Sequence, residues 1–364
     1  MNSSNFFSTP NITLDELLAL LGYQTWESIS CLFLLPPLSA IGIVTNSISA
    51  LIFFRSKFTD PIFFYYRLLS LVYIVSSLIS TPGGFCFSPL FLSKIDTFVC
   101  AYYSQVYSPC VSLLFHYASV LEILILLTRM KLFSTFIKKH FSLSPEMISL
   151  LSFIICLIIN LPLGFIFKVD SLGDYYYYDS EGTKKVGTFY NILNSEFATS
   201  LIGQLSLLVS YLMNILFTLI VGIILNISSI VQYKSHLKKL KAEALALQIK
   251  TSNQPLTSSS ENLPVEYQTI LKKKERNQRK IENNMFYLAI TLCFISIISR
   301  IILTVAYAYF FIFSSSFVFL IIGTLSNFIY VIVPSSSILI FYSFNQMFRD
   351  ELKKMFRLKN SMHL

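Results

Sequence analysis

Charge is scarce in this sequence. Only 13% of the 364 residues are Asp, Glu, Lys or Arg, while 54% are hydrophobic. Soluble domains carry about 25% charged residues, so this shortage indicates a membrane protein. In a soluble chain the net charge of +9 would suggest a nucleic-acid partner. In a membrane protein it reports on which side of the bilayer the loops lie, and we expect no nucleic-acid partner.

Recognisable catalytic and metal-binding patterns are missing as well. The spans contain no H-E-x-x-H, no G-x-S-x-G and no paired catalytic aspartates. The six cysteines show no C-x-x-C or Cys/His metal spacing. We therefore expect no enzymatic activity, no metal and no cofactor. The N-terminus lacks the basic region of a cleavable signal, so the first span is expected to serve as an uncleaved targeting signal.

Long apolar runs dominate the rest of the chain. The sixth is the clearest, because sixteen Leu, Ile, Val or Phe residues lie between Phe286 and Phe313 with Arg300 as the single charge. Each such apolar residue favours insertion by about 0.3 to 0.6 kcal/mol, whereas a central Arg costs roughly 3 kcal/mol. A span needs about 20 residues, and seven segments are long enough. We predict an all-α fold, a bundle of seven transmembrane helices at 30–54, 61–85, 97–127, 147–167, 201–231, 285–313 and 316–342.

The distribution of Lys and Arg predicts the orientation of this bundle. With the N-terminus outside, 22 of the 28 Lys and Arg residues fall in cytoplasmic segments and four in outer segments. Arg67 and Arg300 lie within spans. This asymmetry predicts an outside N-terminus and a cytoplasmic C-terminus. Residues 1–29 would be an extracellular tail with a glycosylation sequon at Asn11, 30–343 the seven-span domain, and 344–364 a cytoplasmic helix and tail.

The connecting segments carry further signals. Cys86 and Cys100 flank the loop between spans two and three, where they would form a disulfide or remain free thiols. The loop after span four has four tyrosines before Asp179, which would line a ligand entrance or form an interfacial aromatic belt. The long basic cytoplasmic loop, 232–284, begins with a helix-prone stretch at 234–250 that is expected to extend span five.

An amphipathic helix is expected after span seven. Apolar residues recur at helical spacing there, with cations among them, which is typical of a helix on the membrane surface beside anionic lipids. The apolar positions are Phe344, Met347, Phe348, Leu352, Met355 and Phe356.

Ionisable residues inside spans are costly and are therefore functional candidates. At 1.5 Å per residue, Arg67 lies roughly 9 Å from the cytoplasmic end of span two and Glu122 roughly 10 Å above Arg129. The shared depth predicts an intramembrane ion pair between Arg67 and Glu122, acting as a switch or as a static link. Arg300 is expected in the outer half near His116, too far from Glu122 to be its partner. His116 would be an interhelical hydrogen-bonding group or part of a site.

Taken together, these features resemble a G-protein-coupled receptor of the rhodopsin-like class. Residues 42–46, Gly-Ile-Val-Thr-Asn, are similar to the family's G-x-x-G-N, and Leu127-Thr128-Arg129-Met130 stands where the family has Asp/Glu-Arg-Tyr. The junction 345–349, Asn-Gln-Met-Phe-Arg, is similar to N-x-x-F-R. Residues 333–337, Val-Pro-Ser-Ser-Ser, replace N-P-x-x-Y, and 293–296, Cys-Phe-Ile-Ser, replace C-W-x-P. The pattern is similar to divergent, lineage-expanded receptors such as the serpentine chemoreceptors and peptide-receptor-like families of invertebrates.

The resemblance implies a plasma-membrane receptor that binds an extracellular peptide or small molecule and acts on a heterotrimeric G protein. Arg300 and His116 would line the ligand pocket. Arg129 would meet the G protein, or serve only as a positively charged anchor, while Asn46 and Pro334 occupy the family's activation positions. The alternative is a membrane transporter or channel, which the absence of internal repeats in the sequence disfavours.

Overall fold

A computed structural model describes residues 34–86, 106–131, 143–178, 184–252, 284, 286–295, 297–302, 305, 332–333 and 335–361. Five of its helices are long and apolar enough to cross a membrane, at Leu35–Phe53, Pro61–Thr81, Pro109–Met130, Pro145–Phe165 and Thr218–Ser235. Shorter apolar helices lie at Leu201–Ser210, Phe286–Ile302 and Ser335–Phe344. The chain is therefore a membrane-embedded helical protein, as its composition predicts.

The first four long helices begin at proline or capping signals in the sequence. They are α1 (Leu35–Phe53), α2 (Pro61–Cys86), α3 (Ser108–Met130) and α4 (Pro145–Asn160), and α1, α3 and α4 each have proline in the first helical positions. Proline suits these positions because the first N–H groups have no partner within the helix. Asp60 accepts a hydrogen bond from the Ile62 N–H at the start of α2, and Ser144 caps α4 through the Met147 N–H.

The described residues are mostly helical, as predicted, but the chain departs from helix after the fourth span. A short 3₁₀ segment, Leu161–Phe165, follows α4, and an antiparallel hairpin comes next, with β1 at Phe167–Tyr178 and β2 at Lys184–Asn194. A register shift between Ser171 and Gly173 marks a bulge. The strands are rich in Val, Ile, Phe and Tyr, which favour extended backbone. The four tyrosines before Asp179, which were expected to lie in a loop, therefore form the end of β1.

The predicted fifth span is divided into three parts, which are α6 (Leu201–Tyr211), a π-helical segment (Leu212–Phe217) and α7 (Thr218–Ser252). A short helix, α5 (Glu196–Thr199), precedes them. The expected extension of span five into the basic loop is confirmed, because α7 continues through 234–250. Such π segments often occur beside functional groups, and this one ends directly before Thr218.

The described parts of spans six and seven are α8 (Phe286–Ile302) and α9 (Ser335–Phe344). After them, α10 (Gln346–Ser361) is the helix predicted to follow span seven. Asn345 caps it by accepting a hydrogen bond from the Phe348 N–H at 3.0 Å.

An aromatic cluster around Phe53 joins α1, α2, α9 and α10. The Phe53 ring stacks on Tyr66 at 5.4 Å and meets Phe341 edge-on at 4.9 Å and Phe348 at 5.2 Å. These four side chains are fully or almost fully buried. Outward-facing positions such as Leu51 and Ile158, which are 63% and 64% exposed, are apolar as well. Apolar residues on both the inner and outer faces are expected when the surrounding solvent is lipid.

Candidate functional site

A carboxylate lies buried in the middle of α3. Glu122 is 3% exposed, and its Oε1 accepts a hydrogen bond of 2.7 Å from the hydroxyl of Tyr73 on α2. Isolated charge in a membrane interior is expensive, so a strong donor is needed at this position. Tyr73 supplies it.

Arg300 lies on the inner face of α8. It is 1% exposed, donates to the hydroxyl of Thr218 at the start of α7, and holds its guanidinium 5.0 Å from the centre of the Phe115 ring on α3. A cation over an aromatic face is attracted by the negative charge of the ring face. Arg300 therefore connects α8 to α7 and α3. In this conformation its guanidinium is enclosed, so the predicted ligand contact would require α8 to move.

Arg300 and Glu122 belong to one polar cluster. Both charges act electrostatically on the hydroxyl of Tyr73 and on the thiol of Cys293. We call Tyr73, Glu122, Thr218 and Arg300 the central cluster; it brings together α2, α3, α7 and α8. The expectation that Arg300 lies too far from Glu122 to be its partner stays a prediction.

The predicted ion pair between Arg67 and Glu122 is also wrong. The Nε of Arg67 donates to the carbonyl of Phe53 at 2.7 Å, and another guanidinium nitrogen donates to the carbonyl of Phe58. Its guanidinium also lies 5.6 Å from the Phe54 ring centre. The last carbonyls of a helix lack partners within it and carry partial negative charge. Arg67 satisfies the last carbonyl of α1 and one carbonyl of the loop that follows, while Glu122 bonds Tyr73.

His116 lies between α3 and α4. It is 4% exposed, and its Nδ1 lies 3.2 Å from the side-chain nitrogen of Asn160. The Asn160 amide also accepts a bond from Ser112 at 3.1 Å and donates to the carbonyl of Cys156 at 2.7 Å. Of the two roles considered from the sequence, this arrangement favours interhelical hydrogen bonding.

Asn46 joins α1 to α9. Its side chain is fully buried, donates to the carbonyl of Gly42 at 2.8 Å and accepts from Ser337 at 2.8 Å. Nearby, Ser335 donates to the carbonyl of Leu38 at 3.0 Å. Ser335 and Ser337 therefore form polar contacts between these two helices.

One end of the bundle is rich in positive charge. It holds the 54–60 loop, the last turn of α3 and α10, and we call it the basic end. Arg129 is 7% exposed there and acts electrostatically on Tyr66. Among the described residues, neither its Nε nor the Tyr66 hydroxyl has a hydrogen-bond partner. Buried donors without partners are costly and would gain from a partner of complementary charge.

Helix α10 is held at the basic end by one buried acid. The carboxylate of Glu351 accepts hydrogen bonds from Lys57 at 2.9 Å, from Lys354 at 3.0 Å and from Arg55. Hydrogen bonds from Lys57, Lys354 and Arg55 lower the pKa of Glu351 from 4.5 to about 2. The side chains of Lys57 and Lys354 are more than half exposed, so the cations still face the surroundings.

Several predicted site residues lie outside the described residues. These are Asn11, Cys100 and Pro334, and for Cys86 only the backbone is described. Cys110, Cys156 and Cys293 are free thiols. In the part of the chain that the structure describes, no group of three His, Cys, Asp or Glu side chains is placed to hold a metal ion.

The two sequence comparisons identify no relative. The sequence matches no model of a protein family, and a search of curated proteins finds none with significant similarity.

Sequence reasoning missed the partners of the buried charges. The missed partners are four residues. Tyr73 bonds Glu122, Thr218 bonds Arg300 and Asn160 lies beside His116, while Glu351 holds the helix predicted after span seven. A signal was available for three of them, because Thr218 and Asn160 are isolated polar residues in apolar runs and Glu351 is an acid inside a basic helix. Tyr73 gave none, since tyrosines are frequent in this chain.

Proposed function

We propose that this protein is a plasma-membrane receptor that transmits the binding of an extracellular peptide or small molecule to a heterotrimeric G protein. The observation that carries the proposal is the pair of buried charges on α3. Glu122 takes part in the central cluster, and Arg129 lies seven residues further on, about 10 Å along the helix, at the basic end. A shift of the central cluster would move the helix that positions Arg129.

We infer that the helices around the central cluster have a second arrangement besides the one described. When Arg300 contacts Thr218 and Phe115, α8 is held against α7 and α3. Displacement of Arg300 would release α8 from α7 and from α3, the helix that carries Arg129. A ligand on one side and a protein partner on the other would both bias this equilibrium, which is the requirement for coupling between two sites.

Basal nucleotide exchange tests the proposal without knowledge of the ligand. The protein would be reconstituted in liposomes with purified heterotrimeric G proteins of several classes, and binding of a non-hydrolysable GTP analogue would be measured. We expect faster exchange with at least one class than with empty liposomes, and loss of that increase in Arg129→Ala. Lys353→Ala, which removes an exposed cation from α10, is the matched control and should retain it.

The same liposomes test the alternative of a transporter or channel, since buried charges also occur along solute pathways. Exchange no faster than in empty liposomes with every G-protein class, together with a solute or ion flux that Glu122→Gln abolishes, would replace the receptor proposal by the transporter.

A further inference from the structure

Arg129 is a buried cation with no acidic residue beside it. The residue before it is Thr128, whose hydroxyl donates to the carbonyl of Leu124 at 2.7 Å. Arg129 is 7% exposed, and its Nε has no hydrogen-bond partner among the described residues. A buried donor of positive charge without an acceptor is costly. An acceptor from outside the chain would therefore stabilise the folded protein.

A second donor without a partner belongs to Tyr66 of α2. The residue is 0% exposed, and its hydroxyl is unbonded in the part of the chain that the structure describes. Its ring is held by Phe53 at 5.4 Å and by Phe341 at 5.3 Å. The charge of Arg129 acts electrostatically on this hydroxyl, so the two groups lie near each other. One acceptor placed between them would satisfy both donors.

The acidic side chains of the basic end are used elsewhere. Asp60 also acts on Tyr66, but its carboxylate caps α2. Glu351 accepts hydrogen bonds from three cations around α10, and Asp350 is exposed. Among the described residues, no carboxylate therefore bonds Arg129.

The charge of the basic end favours an anion. Its eight cations outnumber its three acids, and the cations are Arg55, Lys57, Arg129, Arg349, Lys353, Lys354, Arg357 and Lys359. Such a surplus of positive charge raises the local concentration of small anions. Because Arg129 and Tyr66 are both buried, the space between them suits a monatomic ion better than a phosphate group. Chloride is such an ion, and it accepts hydrogen bonds from several directions.

We propose that the basic end binds a chloride ion between the Nε–H of Arg129 and the hydroxyl of Tyr66. The ion supplies the negative charge that no described carboxylate supplies to Arg129, and it satisfies two buried donors at once. This site is independent of the proposed signalling function, because it requires only the packing of α2 against α3.

Thermal unfolding tests the site in the full chain. Purified protein in an uncharged detergent would be heated in sodium gluconate and in mixtures with rising sodium chloride at constant ionic strength. A ligand that binds only the folded state raises Tm. We expect Tm to rise by roughly 2–4 °C and to saturate with chloride, and bromide should have the same effect. The line width of the chloride NMR signal, which broadens when the ion binds, measures binding without unfolding.

Two variants remove the donors one at a time. Tyr66→Phe keeps the ring and removes the hydroxyl, whereas Arg129→Lys keeps the charge and removes the Nε donor. Each should raise the chloride concentration of the half-maximal effect about tenfold, because a hydrogen bond to a charged group is lost. Without chloride, Tyr66→Phe should be at least as stable as the unaltered chain, because the hydroxyl then has no partner.

Tyr65→Phe is the matched control. Tyr65 is the neighbouring residue on α2, is 1% exposed, and has its hydroxyl bonded to Thr128. Its loss should lower Tm by the same amount with and without chloride and leave the half-maximal chloride concentration unchanged. Lys353→Ala, which removes an exposed cation from α10, should also leave that concentration unchanged.

Two results would overturn the proposal. One is a Tm of the unaltered protein that does not depend on chloride, which can be measured even if neither variant folds. It would assign the two donors to water, for example a molecule that bridges Arg129 to the Gln232 amide oxygen, which also has no partner among the described residues. The other is a half-maximal chloride concentration that is unchanged in both Tyr66→Phe and Arg129→Lys, which would be a general effect of salt.

Discussion

Two tyrosine hydroxyls on α2 differ in their hydrogen bonding, and we expect them to differ in their contribution to the free energy of unfolding. Tyr73 donates to the carboxylate of Glu122, whereas the hydroxyl of Tyr66 has no hydrogen-bond partner among the described residues. Both side chains are buried. The same chemical change at the two positions therefore separates the value of a hydrogen bond from the value of the aromatic ring.

We predict that Tyr73→Phe lowers the free energy of unfolding by about 1–3 kcal/mol, because it removes a donor from a buried charge. Tyr66→Phe should leave stability unchanged or raise it, because it removes a buried hydroxyl that lost its hydrogen bonds to water and gained no partner. Thermal unfolding of both variants in detergent without chloride measures the difference. Equal losses in the two variants would contradict the assignment of the Glu122 bond.

Acidification is expected to release α10 through Glu351. Its pKa in the docked state is about 2, below its ordinary value of 4.5. A group with a lowered pKa in the folded state stabilises that state above its unfolded pKa, and this contribution is lost as the pH falls toward the folded value. Docking of α10 should therefore be unaffected above about pH 5 and weaken between 4.5 and about 2.

Spin labels measure this release directly. Cysteines introduced by Thr59→Cys and Phe356→Cys occupy exposed positions on the 54–60 loop and α10. The distance distribution between the labels should broaden below pH 4.5 in the otherwise unaltered protein, and it should be broad at every pH in a Glu351→Gln background. A narrow distribution in Glu351→Gln at neutral pH would show that the aromatic contact of Phe348 holds α10 by itself.

At the scale of elements, α1 approaches α2 and α9 closely at Gly42. A Cβ added there would lie 2.6 Å from the hydroxyl of Ser77 on α2 and 2.9 Å from that of Ser335 on α9. Both hydroxyls would have to move, and Ser335 would give up its bond to Leu38. Gly42 therefore permits α1, α2 and α9 to pack together.

We predict that Gly42→Ala destabilises the protein by about 1–3 kcal/mol, the usual cost of overpacking. Gly164→Ala, where the added carbon meets nothing within 4 Å, should leave stability unchanged. Thermal unfolding again provides the comparison. Adding Ser77→Ala and Ser335→Ala to Gly42→Ala removes the crowded atoms and should recover part of the loss; no recovery would place the cause elsewhere.

At the same scale, helix positions follow from the sequence far better than the irregular elements do. Apolar runs and prolines predict α1 to α4, and the spacing of Phe348 and its neighbours predicts α10. The hairpin and the π segment are not predicted. A tyrosine-rich run is compatible with a loop, a belt or a strand until the pairing of 167–178 with 184–194 is known, and a π turn leaves no mark in hydropathy.

For the whole molecule, the uneven distribution of Lys and Arg predicts the orientation in the membrane. The basic end, with Arg55, Lys57 and α10, should face the cytoplasm, and the hairpin the exterior. We predict that a cysteine introduced by Lys184→Cys reacts with a membrane-impermeant maleimide on intact cells. A cysteine introduced by Lys354→Cys should react only after permeabilisation.

Both lysines are exposed, so a difference in labelling reports the side of the membrane rather than burial. The parent chain with all six of its cysteines unaltered gives the background labelling for both measurements. The reverse pattern would invert the bundle and place the hairpin inside, which would remove the basis for a cytoplasmic partner at Arg129.

The sequence by itself determined that this chain lies in a membrane, where most of its helices begin, and that a basic amphipathic helix follows the last span. These properties depend on local composition, on proline at helix starts and on 3.6-residue spacing, which are visible in any short window. Only the tertiary structure decided which groups neutralise the buried charges. Arg67 bonds carbonyls of α1 and the following loop, Glu122 bonds Tyr73, and Arg300 bonds Thr218, because the rotation, tilt and depth of each helix depend on side-chain packing between helices and not on the residues of one helix.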